Sequence, residues 1–350
     1  MLIGLFFPLY PALATELNPN NLSTEYYLSY DLENEVIMYS NNIEQAIAPA
    51  SLTKVMTALV LLDYYQISDS ITISLPENYV YSGKVAYLES GMTITIEDLL
   101  EFILIYSAND AAHVAAVAST GSVESFLAEM NNKAKSYGMK NTIFLNPDGL
   151  DEDGHITTMN DLLKMSLKFI ENYRLLAITS KTSFSSDISG SDRIYYSTNQ
   201  IIKNGYIGIK TGWTSEAGLT FIGLNLNSDR QILTIVNKST VDAQKSTHFL
   251  DTQILYNSSF VDFGYYENYK KGDPIFKLIN PVSTTVINSS DTWVDFTDLR
   301  NPVEVRFMDY TDGRLSFTNS NSERELKTSE SNYKVLWGFK LLEIFSRFAN

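Results

Sequence analysis

Cysteine is absent from this chain of 350 residues, and histidine occurs only three times. The lack of cysteine excludes a disulfide framework, a thiol nucleophile and any metal centre that uses cysteine ligands. The three histidines, His113, His155 and His248, are far apart in the sequence and form no pair with the spacing of metal ligands. We therefore expect no metal ion and no other cofactor, and no local pattern indicates a Ser-His-Asp triad.

Basic residues are scarce as well, with 26 Lys and Arg against 41 Asp and Glu, which gives a formal net charge of −15. A chain of this charge repels the phosphate backbone, so the composition argues against nucleic-acid binding. Hydrophobic residues make up 44% of the sequence, enough to build one large domain and a small one.

Apolar runs long enough to span a bilayer are also missing. The apolar run at the N-terminus, Leu2–Tyr10, is too short to do so. It is followed by Ala12-Leu13-Ala14, which has the spelling of a signal-peptidase cleavage site, although no basic residue precedes the run. We interpret residues 1–14 as a signal peptide and predict that the protein is exported. The alternative is a buried N-terminal strand.

The first of three polar motifs is Ser51-Leu52-Thr53-Lys54, which precedes a nearly unbroken apolar run from Val55 to Leu62. Such a run predicts a buried helix, and a spacing of three places Ser51 and Lys54 on one face of it. Burial penalises the charged form of a lysine, so Lys54 is suited to take the proton of the Ser51 hydroxyl. The alternative is an ordinary helix start, since this spelling arises by chance about once in a chain of this size.

The second motif, Ser107-Ala108-Asn109, closes an apolar stretch and opens a helix of small residues. Ser40-Asn41-Asn42 and Ser197-Thr198-Asn199 share its Ser-x-Asn spelling but not this context. In a loop between packed helices, Ser107 would pass protons between Ser51, Lys54 and a leaving amine, while Asn109 would hold the lysine and a substrate amide.

The third motif, Lys210-Thr211-Gly212, lies in Tyr206–Thr214, where apolar and small residues alternate as in a strand. Lys210 and Thr211 can bind a substrate carboxylate, and Gly212 allows the backbone to approach closely. The backbone N–H groups of Trp213 and Ser51 would together form an oxyanion hole.

In this order the three motifs resemble those of low-molecular-mass penicillin-binding proteins, specifically the D-alanyl-D-alanine carboxypeptidases of serine peptidase family S11. The similarity covers about residues 24–262 and includes Gly138–Thr142, Asn146–Leu150 and His155–Thr158. Where the resemblance leads us to expect an arginine that binds the terminal carboxylate, the chain has Lys238, a single point of charge. The resemblance implies the following sites: catalytic residues Ser51, Lys54, Ser107 and Asn109, and substrate-binding residues Lys210, Thr211, Gly212 and Trp213.

The function that the resemblance implies is removal of the terminal D-alanine from peptidoglycan stem peptides through an acyl-enzyme on Ser51. Penicillin would acylate the same serine. A β-lactamase is one alternative, but the Glu-x-x-Leu-Asn spelling of its water-activating loop is absent between Asn109 and Lys210. A non-catalytic module that binds the cell wall or penicillin is the other.

The predicted fold class is α/β or α+β, a sandwich of helices on an antiparallel sheet of the β-lactamase and transpeptidase type, with a further helical region. We place the catalytic domain at residues 15–262. Beside the strand at Tyr206–Thr214, the patterns predict strands over Gly218–Leu226 and Gln231–Asn237 and helices over Ile96–Tyr106, Val114–Ser119, Val123–Tyr137, Thr158–Thr179 and Thr240–Ser258.

After residue 262 the composition changes to short alternating runs rich in Thr, Val, Ser and Asn, which predict a small β domain over residues 263–333. In residues 334–350 the apolar side chains fall on one side of a helical wheel, and Lys340, Glu343 and Arg347 fall on the other. This pattern predicts an amphipathic helix on the membrane surface, the alternative being a helix packed on the protein itself. We thus expect peripheral attachment to the outer face of the cytoplasmic membrane, or a location in the cell wall.

Overall fold

The structure is a computed structural model that describes residues 17–262, apart from 33–34, 189–190, 226–230 and 245, together with short strands between residues 267 and 335. Residues 17–257 form one compact unit, and the strands that follow belong to a second. The predicted signal peptide, residues 1–14, lies outside the described residues.

The first unit contains a five-stranded antiparallel sheet and two small sheets of two strands each. Its strands, in chain order, are β1 (Tyr26–Asp31), β2 (Val36–Asn41), β3 (Ser70–Thr72), β4 (Thr93–Thr95), β5 (Ser183–Ser186), β6 (Arg193–Tyr196), β7 (Tyr206–Thr214), β8 (Gly218–Asn225) and β9 (Ile232–Ser239).

The large sheet has the strand order β2-β1-β9-β8-β7, so the strand that carries the third motif lies at its edge. The register of β7 against β8 shifts between Gly208 and Lys210, where Gly208 faces Gly223 and Lys210 faces Ile222. A bulge of this kind re-aims the side chains that follow it. The bulge therefore decides which way the side chain of Lys210 points.

The helices of this unit form a helical region and cover both faces of the sheet. They are α1 (Thr53–Tyr64), α2 (Ile96–Glu101), α3 (Asn109–Thr120), α4 (Val123–Ser136), α5 (Met159–Ile170), α6 (Tyr173–Thr179) and α7 (Thr247–Asp262). Alternate residues of β8 face opposite sides of the sheet. Ile222 joins the core cluster shared with α1, whereas Phe221 packs edge-on against Phe249 of α7.

α1 is buried almost all round, as its apolar sequence predicts. Every residue from Thr53 to Leu61 is buried. Tertiary packing therefore fixes this helix from all sides, and both ends of the Ser51-x-x-Lys54 motif take their position from it.

Three helix predictions need correction. The span Thr158–Thr179 is two helices, α5 and α6, because the side chain of Asn172 accepts hydrogen bonds from the N–H groups of Arg174 and Leu175 and so caps a new helix. The last helix begins at Thr247 rather than Thr240, because the Asp242 carboxylate accepts the Ser246 N–H and holds the preceding residues in a turn. The helix predicted over Val114–Ser119 begins earlier, at Asn109.

The strands of the second unit pair in three small antiparallel sheets, β10–β12, β11–β16 and β13–β14–β15. Their ranges are β10 (Glu267–Tyr269), β11 (Val286–Asn288), β12 (Thr292–Val294), β13 (Glu304–Asp309), β14 (Arg314–Asn319), β15 (Ser322–Leu326) and β16 (Tyr333–Val335). Short strands thus occur in this part of the chain, while a small β domain over residues 263–333 stays a prediction.

The predicted amphipathic helix, residues 334–350, is wrong at its start, because residues 334 and 335 belong to β16. Its remaining residues, 336–350, lie outside the described residues. In the part of the chain that the structure describes, the helices are too short or too polar to cross a membrane.

Phe169 tests how far the core of α5 stabilises this unit, because its ring is fully buried. We expect Phe169→Ala to lower the free energy of unfolding by about 3–5 kcal/mol, through lost transfer energy and the cavity left behind. Urea unfolding followed by circular dichroism measures the change. The matched control is Lys168→Ala on the exposed side of the same helix, which should stay within about 0.5 kcal/mol of the wild type.

Candidate active site

The first motif brings an alcohol and an amine into contact. Ser51 lies in a single 3-10 turn, Ala50–Leu52, and Lys54 in the first turn of α1. Lys54 Nζ is 3.0 Å from Ser51 Oγ. It also donates to Asn109 Oδ1 at 2.7 Å and to the carbonyl oxygen of Asp148 at 2.6 Å. Three oxygens thus hold a fully buried amine beside the serine.

Burial shifts the balance between charged and uncharged Lys54. Desolvation lowers the pKa of Lys54 to about 8, although the carboxylates of Asp148 and Asp110 act in the opposite direction. The charge of Lys84 lowers it further. A group of this pKa is about one tenth uncharged at neutral pH, and the uncharged amine can accept a proton from a neighbouring hydroxyl.

The second motif depends on an unusual turn. α2 continues as a π-helical turn over Phe102–Tyr106 and ends at Ser107, whose φ of 70° is left-handed. The N–H of Ala108 then returns to the carbonyl oxygen of Phe102 at 2.8 Å. A non-glycine residue in this conformation is strained, and such strain is typical of functional sites. The turn directs the Ser107 hydroxyl to Lys210 Nζ, 2.8 Å away.

The third motif contributes a second buried lysine. Lys210 is 2% exposed, and its ammonium also donates to the carbonyl oxygen of Thr211 at 2.9 Å. Burial, and then the charges of Lys54 and Lys84, hold the pKa of Lys210 well below its ordinary value. A bound carboxylate would reverse this effect, because an opposite charge favours the ammonium.

Two glycines let separate segments close on Ser51. Gly149 has a φ of 85°, and a Cβ built there would lie 1.8 Å from the carbonyl oxygen of Ala50. A Cβ on Gly212 would lie 3.0 Å from the backbone nitrogen of Ser51. The Gly212 contact brings the last residues of β7 next to the Ser51 N–H, as an oxyanion hole built from Ser51 and Trp213 requires.

All three motifs line one cavity of about 1060 Å³. Its walls include Ser51, Ser107, Asn109, Thr211 and Trp213. Trp213 is 47% exposed and stands at the rim. Among the described residues, no group of three or more His, Asp or Glu side chains is arranged to hold a metal ion.

A carboxylate lies behind Lys54. Asp148 is 3% exposed, and its Oδ2 is 3.2 Å from Nε2 of His113. Burial favours protonation of Asp148, but the hydrogen bond from His113 and the charge of Lys54 outweigh it and leave the pKa of Asp148 below its ordinary value. Asp148 is therefore a buried negative charge that faces the lysine.

His155 supports the helix start from the other side. Its Nδ1 accepts the N–H of Leu145 at 3.2 Å, so the proton lies on Nε2, which is 2.9 Å from Thr53 Oγ1. Desolvation lowers the pKa of His155 to about 4, so the ring is neutral under ordinary conditions. Thr53, between the serine and the lysine, is thereby tied to the loop that carries Asp148 and Gly149.

With this geometry in place, comparison with known proteins gives a consistent result. The family model for D-alanyl-D-alanine carboxypeptidase, peptidase family S11, matches residues 13–240, more than half of the chain. The chain belongs to the S11 peptidase family. The resemblance to its low-molecular-mass penicillin-binding proteins, and the predicted fold class, are confirmed.

Individual relatives agree with this assignment. The D-alanyl-D-alanine carboxypeptidase DacF of Bacillus subtilis is 30% identical over 252 residues, which are 69% of this chain and 63% of the relative. A D-alanyl-D-alanine endopeptidase of Pseudomonas aeruginosa is 29% identical over 71% of this chain and 84% of its own length. The structure of penicillin-binding protein D2 from Listeria monocytogenes with cefotaxime bound has a TM-score of 0.59 and 30% identity, over 72% of this chain and all of that one.

The S11 fold brings together the motif residues that the sequence singled out, but not every expected contact. Ser107 was expected to pass protons between Ser51, Lys54 and a leaving amine, and the lysine to which it is hydrogen-bonded is Lys210. Lys238, which stands where an arginine was expected, is exposed, and its ammonium lies 5.0 Å from the centre of the Tyr26 ring. It is not among the residues that line the cavity.

Sequence reasoning missed three residues at this S11 site. Lys84 and Thr198 line the cavity, and the Thr211 hydroxyl donates to the Thr198 hydroxyl at 2.6 Å. His113 contacts Asp148 as described. Thr198 belongs to a Ser-x-Asn spelling that the sequence analysis set aside, and it lines the cavity even though its Asn199 is bound elsewhere, to the carbonyl oxygen of Tyr206. No motif signals Lys84.

Gly149→Ala should displace the nucleophile. The new Cβ would collide with backbone atoms of Ala50 and Ser51, and a displacement of about 1 Å can cost roughly 100-fold in rate. Labelling by a fluorescent penicillin, the acylation that the motifs imply, measures the loss. Gly154→Ala is the matched control, because it has a φ of 90° but only a side-chain contact at 3.5 Å. Equal labelling rates for the two variants would contradict the expected collision.

The lowered pKa of His155 predicts that the free energy of unfolding decreases in acid. Its folded pKa of about 4 lies below the ordinary 6.5, so between these values the unfolded chain binds the extra proton more readily. Stability from the neutral ring is present above pH 6.5 and is lost as the pH falls toward 4. We expect a loss of roughly 2 kcal/mol between pH 7 and pH 5.

Urea midpoints at the two pH values test this contribution of His155. His248, whose pKa burial also lowers to about 4, makes a similar contribution in the wild type. His155→Gln should therefore lose about half of the acid sensitivity and keep the part that belongs to His248. An unchanged difference between pH 7 and pH 5 would disprove the role of His155.

Proposed function

We propose that this protein is a serine-type D-alanyl-D-alanine carboxypeptidase that removes the terminal D-alanine from peptidoglycan stem peptides. The observation that carries the proposal is the contact of 3.0 Å between Ser51 Oγ and the fully buried Lys54 Nζ, at the wall of a cavity that Ser51, Ser107 and Thr211 line. Family membership supports the reaction class, and the carboxypeptidase named DacF supports the substrate.

In the first step the uncharged amine of Lys54 takes the proton of the Ser51 hydroxyl, and Oγ attacks the carbonyl carbon between the two D-alanines. The oxyanion that forms is held by the N–H groups of Ser51 and Trp213, a type of interaction worth roughly 3 kcal/mol per donor. The close approach of Gly212 to the Ser51 nitrogen supports this assignment.

In the second step the C–N bond breaks and the departing D-alanine takes a proton at its nitrogen. Ser107 is placed to deliver that proton, because its hydroxyl is hydrogen-bonded to Lys210, from which it can be reprotonated. Lys210 and Thr211 bind the carboxylate of the leaving D-alanine. Asn109 keeps Lys54 in position throughout, through the contact of 2.7 Å.

In the third step water attacks the ester on Ser51, which releases the shortened peptide as a carboxylate and restores the serine. A β-lactam presents a carbonyl and a carboxylate in a similar arrangement, and cefotaxime is bound in the Listeria relative. We therefore include β-lactams as ligands that acylate Ser51. A reaction on peptidoglycan takes place outside the cytoplasm, which fits export of this chain. Attachment to the membrane surface through the segment that follows β16, residues 336–350, remains part of the proposal.

The decisive assay offers the full-length protein a diacetyl-lysyl-D-alanyl-D-alanine peptide and, separately, a penicillin. We expect release of D-alanine and persistent labelling, both abolished by Ser51→Ala. Because Lys54 reacts when uncharged, the rate of D-alanine release at low substrate should rise with pH toward its pKa of about 8.

Other outcomes of the assay identify the alternatives. Rapid destruction of penicillin would identify a β-lactamase, and labelling without D-alanine release would identify a non-catalytic binding module. Cleavage of cross-linked peptides without release of D-alanine would place the chain with the endopeptidase relative. Each of these three results would overturn the carboxypeptidase assignment.

A further inference from the structure

One cation on the wall of the catalytic cavity belongs to none of the three motifs. Lys84 lies in the segment 76–88, here called the 76–88 loop, and lines the cavity together with Ser51, Ser107 and Asn109. Its ammonium lies 4.2 Å from the centre of the Tyr106 ring, the residue that precedes Ser107. At this distance a cation is attracted to the face of the ring.

The backbone of the 76–88 loop is fastened to the second motif. The N–H of Asn109 donates to the carbonyl oxygen of Lys84 at 2.7 Å, and Nδ2 of Asn109 donates to that of Ser82 at 2.8 Å. The buried carboxylate of Asp110 accepts the N–H groups of Ala86 and Leu88, each at 2.9 Å. Asn109, whose side chain holds the Lys54 amine, therefore also fixes the position of Lys84.

The charge of Lys84 reaches both catalytic lysines. It lowers the pKa of Lys54 and the pKa of Lys210, in each case after the larger effect of burial. Lys84 lines the cavity, while Lys54 and Lys210 are buried behind it and hydrogen-bonded to Ser51 and Ser107, which also line it. Three amines close to one cavity attract an anionic substrate.

Two carboxylates also line the cavity, Asp148 and Asp151, and Asp151 accepts the N–H of Glu216. Asp148 is hydrogen-bonded to His113 behind Lys54, and Asp110 is bound to loop N–H groups. The charged groups near Tyr106 are Arg193 and Asp110. The Lys84 ammonium itself faces the Tyr106 ring.

We propose that Lys84 is a positioning residue for the reaction on D-alanyl-D-alanine peptides. It guides the terminal carboxylate of the substrate toward Lys210 and keeps the amine of Lys54 available as a base. This inference rests on the proposed function. Because Lys84 lies outside the three motifs, its contribution to the reaction rate adds to that of the motif residues. A variant with an uncharged residue at position 84 lacks this contribution.

The test compares Lys84→Met with Lys84→Arg in the full-length protein. Two peptides are used, one ending in D-alanyl-D-alanine and the other in its C-terminal amide, and kcat/KM is measured across pH. Lys135→Met on the exposed side of α4 is the control, since it changes the net charge equally at a site away from the cavity.

For Lys84→Met we expect kcat/KM to fall about fivefold for the carboxylate peptide but less than about twofold for the amide. The rise of activity with pH should move upward by about half a pH unit for both peptides, because one positive neighbour of Lys54 is gone. Lys84→Arg should keep most of the wild-type kcat/KM and of the wild-type pH profile. Lys135→Met should show neither the loss of activity nor the shift.

Equal losses on both peptides without a shift of the pH profile would reveal a structural role and overturn the inference. So would unchanged kinetics in Lys84→Met, or failure of Lys84→Arg to restore them. If Lys84→Met does not fold, Lys84→Gln takes its place under the same criteria. Absence of D-alanine release in the wild type would refute the proposed function instead. Lys84 would then be tested through penicillin acylation against an uncharged penicillin ester, with the same expected ratio.

Discussion

The structure depends on a buried amine that must be held in place without forming an ion pair with a carboxylate. Lys54 is fully buried, yet the oxygens that it contacts belong to a serine, an amide and a backbone carbonyl. Had a carboxylate formed a direct ion pair with it, the ammonium would have been stabilised and the base lost. Neutral acceptors satisfy its hydrogen bonds while desolvation still favours the uncharged form.

Much of the fold serves this requirement by bringing three separate segments to the amine. α1 carries Lys54 in an apolar environment, the turn at Ser107 positions Asn109, and the 146–150 loop supplies the carbonyl oxygen of Asp148. Each segment approaches through a conformation that few residues tolerate, such as the left-handed φ of Ser107 or of Gly149. The local strain is offset by the core around α1 and α3, which is why such conformations persist.

Local patterns could predict the elements of the fold but not the contacts between distant segments. The alternation in β7, β8 and β9 and the apolar run of α1 led to the correct element types, because each reflects burial of its own residues. The start of α7 was misjudged because the Asp242 side chain competes with the helix for backbone N–H groups. The contacts of His113 with Asp148 and of Asn109 with Lys84 join residues 35 and 25 positions apart, and periodicity carries no information on them.

The same reasoning explains why the motifs alone could not describe the electrostatics of the site. Ser-x-x-Lys and Lys-Thr-Gly each contain one lysine, and their spelling says nothing about how the two amines influence each other. In the structure burial lowers the pKa of both amines, the charge of Lys54 lowers the pKa of Lys210 further, and the charge of Lys84 acts on both in the same direction. Under the proposed function an anionic substrate does more than occupy the cavity, because its carboxylate relieves the repulsion at Lys210. Substrate binding would then favour the ammonium at Lys210, while Lys54, which contacts only neutral oxygens, would remain available as the base.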